Sequence, residues 1–147
     1  MKSGFTKIEL VIVMAVMFVL GWITYQQFSL AKAKSRDVDR KADLHELSKA
    51  IRLYYSDYGK LPMDEEINNL WGKQWIDKDY VYMKEVPKEK YLNKQYCYKQ
   101  GEGGKDFWLM AELEYRSDTD CRKDAYKCGS ESYCFSYNLP SEVAKND

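Results

Sequence analysis

The chain opens with a stretch that is apolar on every side and passes into one that is apolar on one side only. Between Leu10 and Ile23 lie 14 residues without a charged or strongly polar side chain. From Phe5 to Ile23 there are 19 residues, roughly 28 Å of helix and close to the thickness of a hydrocarbon core. No proline precedes Pro62, so a helix can run on unbroken. Beyond Lys32 the pattern becomes one-sided. Leu44, Leu47, Ile51, Tyr54 and Tyr58 recur at three- and four-residue spacing, a stripe predicted to face the protein's own head. Asp37 and Lys41 read as an i,i+4 pair on the solvent side. Gly59 and Pro62 then supply a stop.

The remainder reads as a small mixed head. Asp64 to Gly72 suggests a short helix with Asp64 as N-cap and Gly72 at its exit. From Tyr80 to Val86 the chain is tyrosine-rich and runs up to Pro87. Three strands are expected, at Gln95–Lys99, Phe107–Tyr115 and Tyr133–Leu139, with Gln100 to Lys105 as a hairpin connection. Phe107, Leu109, Ala111, Leu113 and Tyr115 alternate onto one face, expected against the stem. The opposite face, Trp108, Met110, Glu112 and Glu114, is expected largely in water. The predicted fold is α+β, a long helical stem packed on a small antiparallel sheet.

Composition narrows the function classes. The chain has 147 residues, room for a single modest core. Its 23 basic and 23 acidic residues balance, which gives no field to attract nucleic acid. The four cysteines, Cys97, Cys121, Cys128 and Cys134, suggest two disulfides in an exported domain. Cys121 with Cys128, which would close a short loop and leave Cys97 for Cys134, is the favoured pairing. In a simple meander, however, a central strand separates Cys97 from Cys134 by about 10 Å, too far for a bridge. Either the strand order differs or the pairing is crossed. Zinc knuckles are missing, since the gaps between cysteines are 23, 6 and 5 residues. No nucleophile–base pattern or phosphate-binding glycine loop appears, so no enzymatic role is expected. His45, the only histidine, reads as a solvated helix residue.

The N-terminal residues carry the sharpest signal. A cleaved secretory signal ending at Ala31-Lys32-Ala33 would place its exit far beyond the apolar core, and a plain anchor leaves Glu9 unexplained. Gly4-Phe5-Thr6-Lys7-Ile8-Glu9-Leu10-Val11-Ile12-Val13 resembles the processing signature of type IV pilins and of the pseudopilins of type II secretion. The resemblance implies a prepilin peptidase that cuts between Gly4 and Phe5 and methylates the new amine of Phe5. It also implies that Glu9 neutralises the N-terminal charge of a neighbouring copy in a helical filament. A buried ammonium and a buried carboxylate are each costly alone and tolerable as a pair. A similar tyrosine-to-Val-Pro-Lys stretch links stem to sheet in the pseudopilins, so the resemblance implies such a link from Tyr80 to Val86. Two departures from the family pattern stand out: Lys7 where leucine is usual, and no helix-kinking proline in the stem.

Residues 1–4 are then a leader. Residues 5–58 form one helix, with 5–28 in the membrane or filament core and 29–58 amphipathic, and 59–147 form the head. The resemblance implies a pilin-like homo-oligomer, held in the inner membrane with its head outside the cytoplasm until an assembly platform extracts it. The positive-inside rule points the other way, because Lys32, Lys34, Arg36, Arg40 and Lys41 follow the apolar stretch. Calcium sites in the C-terminal loops of some pseudopilins single out Asp118 and Asp120, although two carboxylates fall short of six to eight oxygens. The alternative function is a minor tip pilin, or a lone anchored module that binds DNA or a surface. The resemblance covers pili and secretion or competence pseudopili alike.

Overall fold

The computed structural model describes residues 6–101, 103, 104, 106–122 and 126–137. Helix α1 spans Lys7–Tyr58, 52 residues without a break, a rod of about 78 Å. Every described side chain across residues 7–32 is exposed, among them Phe18 at 74 %. This half is long and apolar enough to cross a membrane, and none of the described residues of the head covers it. From Ala33 upward the helix enters the head. Leu44, Leu47 and Ile51 are fully buried, Tyr54 nearly so, and Tyr58 packs at the margin. Each fully buried aliphatic side chain contributes about 1.5–3 kcal/mol. Gly59 closes the helix at φ 66°, donating its N–H to the Tyr55 carbonyl at 2.8 Å.

Helix α2 (Asp64–Asn68) is shorter than expected, and its N-cap is Met63 rather than Asp64. The reason is that Asp64 and Asn68 serve the neighbouring strand. The Asn68 amide pairs with both backbone groups of Tyr98, at 2.8 and 2.9 Å, and the Asp64 carboxylate accepts from the Gln100 N–H. The outer edge of that strand is thereby satisfied by side chains. A hairpin of β1 (Trp75–Asp77) and β2 (Tyr80–Met83) follows, where a mere link was expected. It delivers Trp75 to the core, stacked on Tyr54 at 5.4 Å between ring centres.

The main sheet is antiparallel in the order β3 (Cys97–Gln100), β4 (Phe107–Ala111), β7 (Phe135–Tyr137). All three lie within or beside the expected strands. Phe107, Leu109 and Ala111, with Leu113 just beyond, face α1 in one core. The opposite face is not in water. A further hairpin of β5 (Tyr126–Cys128) and β6 (Glu131–Tyr133) folds over it, burying Met110 and Cys97 against Tyr133. The fold is α+β: one long helix packed with small antiparallel sheets.

The disulfides join Cys97 to Cys128 and Cys121 to Cys134, which corrects the favoured Cys121–Cys128 pairing. With β4 central, the β5–β6 hairpin carries Cys128 across to β3. The Arg122 N–H bonds the Cys134 carbonyl at 2.7 Å and sets Cys121 beside its own partner. The pairing is therefore crossed, one of the two escapes that the meander geometry allowed.

Candidate functional site

Two places concentrate polar groups: the first turn of α1 and the neck where the helix enters the head. Of the processing residues, Gly4 and Phe5 lie outside the described residues. Thr6 is the helix N-cap, and Glu9 completes a reciprocal capping box with it. The Thr6 N–H and hydroxyl both donate to the Glu9 carboxylate at 3.1 Å, while the Glu9 N–H donates to the Thr6 hydroxyl at 3.4 Å. The carboxylate also lies at the positive end of the helix dipole. Among the described residues no ion pair joins Lys7 to Glu9. The capping box was visible in the sequence as Thr6-Lys7-Ile8-Glu9, a Ser/Thr-x-x-Glu pattern.

The neck is built around Arg40, 2 % exposed. Its guanidinium donates to Glu89 at 2.6 and 3.0 Å, to Asp37 at 2.6 Å and to Glu114 at 2.7 Å. Arg36 makes a second fork onto Glu114. Two of these three carboxylates also order backbone. Glu89 accepts the N–H groups of Lys90, Tyr91 and Leu92, and Asp37 accepts those of Glu114 and Tyr115. Helix, the loop after Pro87 and the chain after β4 are thus tied at one point. Burial disfavours the charge on Arg40, yet its bonds to Glu89, Glu114 and Asp37 outweigh that and raise its pKa. Arg36, then Arg40, hold Glu114 down at about 2. Burial pushes Glu89 up, but Arg40 and the loop amides leave it below its ordinary value. Asp43, one turn above, is raised by burial despite the Tyr96 hydroxyl that donates to it at 3.0 Å.

Sequence reasoning missed this cluster, although one signal was present. Continuing the three-four spacing of the stripe backward from Leu44 lands on Arg40 and then Asp37. The acids that answer Arg40 come from far along the chain and carry no local mark. Asp37 is therefore buried and paired with Arg40, not with Lys41 on the solvent side as expected.

Lys41 instead reaches the candidate calcium residues. Its ammonium lies 2.9 and 3.0 Å from the Asp118 oxygens and 2.7 Å from Asp120. The Asp120 N–H, then Lys41, hold Asp118 below the usual carboxylate range. A protein cation already stands where calcium was considered, and among the described residues no group of three acidic, histidine or cysteine ligands gathers. His45 is exposed, with its ring edge-on to Tyr137 and its Nδ1 against the Tyr137 hydroxyl. Compared with protein families, with curated proteins and with solved structures, the chain matches none.

Proposed function

We propose that this chain is a structural subunit of a filament outside the cytoplasm, a type IV pilin or type II secretion pseudopilin. In this reading a prepilin peptidase removes residues 1–4 and methylates Phe5. The subunit waits in the inner membrane, and an assembly platform then draws it into a helical homopolymer. The observation that carries the reading is Glu9, an acid at the head of an apolar stretch whose side chains are left uncovered among the described residues. Lipid covers such a surface before assembly, and other stems cover it afterwards. A carboxylate there is costly unless an amine meets it.

The capping box gives Glu9 a competing purpose, and the test separates the two. Glutamine at the third helical position still closes a capping box but carries no charge. Mass spectrometry of the mature chain is expected to show an N-methylated Phe5. Glu9→Gln and Glu9→Ala are both expected to abolish fibres at normal subunit levels. Normal fibres from Glu9→Gln, with failure of Glu9→Ala alone, would reduce Glu9 to a helix cap and overturn its assembly role. A mature chain beginning at Lys34 or retaining Met1 would overturn the family reading.

A further inference from the structure

The base of the head carries a collar of cations and tyrosines that the filament reading leaves unused. Between Glu9 and Asp37 the stem has no acid, while Lys32, Lys34 and Arg36 follow one another. Lys32 and Lys34 are exposed. The Lys34 ammonium lies over the Tyr115 ring at 4.4 Å from its centre, and the Arg36 guanidinium over Tyr91 at 5.3 Å. Tyr91 is 63 % exposed. Nearby acids are already engaged: Glu89, Asp37 and Glu114 with Arg40, Glu114 also with Arg36, and Glu112 with Lys94 and Arg116. Asp39, exposed a turn higher, is the nearest carboxylate on the helix without an ion pair among the described residues. Tyrosine beside lysine or arginine is the composition of a membrane–water interface.

We propose that this collar docks the head on an anionic phospholipid surface while the subunit waits for assembly. The inference rests on the reading that the lower stem spans a bilayer. The collar is then continuous with the lipid that surrounds the span. From Ile23 to Arg36 the helix rises roughly 20 Å, and the headgroup layer occupies about 5–7 Å of that. An upright stem holds the collar clear of the phosphates. A tilt of about 20–40° lowers one flank of the head toward them, and the flexible lysine stems close the remaining gap. Because α1 is unbroken from span to head, tilt and docking are one motion. Each lysine brought to an anionic surface shifts the ratio of docked to free heads by about fivefold.

The full chain is reconstituted in vesicles of phosphatidylcholine alone and of phosphatidylcholine with phosphatidylglycerol. Nitration of Tyr91 is read by mass spectrometry against Tyr80, which is 52 % exposed on β2 at the opposite end of the head. Resistance to alkaline extraction is read in parallel. The expected result is insertion in both lipids, with Tyr91 slowed at least about fivefold relative to Tyr80 only where phosphatidylglycerol is present. Lys32→Gln with Lys34→Gln, or high salt, is expected to abolish the slowing without loss of insertion. Equal Tyr91 rates in the two lipids with the chain inserted would overturn the docking, as would slowing that the double variant retains. Extraction from both lipids would overturn the membrane reading itself, and the docking with it.

Discussion

Replacing Arg40 with methionine tests whether the neck is a buried joint. Methionine keeps an unbranched stem but removes a guanidinium that is 2 % exposed and bonded to Glu89, Asp37 and Glu114. Glu114 retains Arg36, whereas Glu89 and Asp37 keep only backbone N–H donors and lose their cation. Removing one partner from a buried pair costs about 3–5 kcal/mol, and the middle of that range is expected here. In a head of this size each kcal/mol lowers Tm by about 4–8 °C, a fall on the order of 15–30 °C. The assay is near-ultraviolet circular dichroism of the full chain in detergent, during heating and urea titration, at neutral and acid pH. Orphaned buried carboxylates have raised pKa values and are relieved when protonated. The deficit is therefore largest at neutral pH and narrows in acid. A deficit below about 1 kcal/mol, or one that does not change with pH, would show that water already screens these charges and would refute the buried joint.

Acid alone is expected to loosen the head of the unaltered protein. Glu114 is lowered from 4.5 to about 2, so its contribution is complete above its unfolded pKa and disappears as pH falls through the folded one, at most about 3 kcal/mol. Glu89 and Asp118, also lowered, act in the same direction, whereas Asp43, raised by burial, partly opposes them. A head equally stable to urea at pH 6, above both values, and at pH 2.5, about two units below the unfolded one and where most of the contribution is already gone, would contradict the pairing. Peptide mapping without reduction is expected to recover Cys97 joined to Cys128 and Cys121 joined to Cys134. Their loops of 31 and 13 residues imply losses of about 4 and about 3 kcal/mol when each pair is replaced by alanine. A peptide joining Cys121 to Cys128 would refute the crossed pairing.

Periodicity carried the parts of this fold that depend on near neighbours. The stripe from Leu44 to Tyr58, the stop at Gly59 and the positions of the three sheet strands all follow from spacing and local turn chemistry. The rest depended on partners remote in sequence. Met110 looked solvent-facing because the hairpin that covers it sits more than fifteen residues away, roughly a strand–turn–strand length that alternation on β4 cannot sense. Asp64 looked like a cap because its competing partner, the Gln100 N–H, is supplied by another element. The neck escaped notice because a polarity pattern treats Asp37 and Arg40 as solvent residues, while their burial is set by Glu89 and Glu114. Glu9 was legible as an anomaly of charge, and its capping bond to Thr6 was legible too, as a four-residue pattern.

The unbroken course of α1 makes it a drive shaft. Each residue inserted into or deleted from its uncovered half turns the head by about 100° about the axis and shifts it about 1.5 Å along it. Whatever grips the first turns thus dictates the compass bearing of Tyr80 and Val81, on the hairpin packed against the far end of the rod. A single-residue deletion near Val16 swings those side chains about a quarter-turn, whereas deleting seven residues, nearly two whole turns, almost restores their bearing with the head drawn inward by about 10 Å.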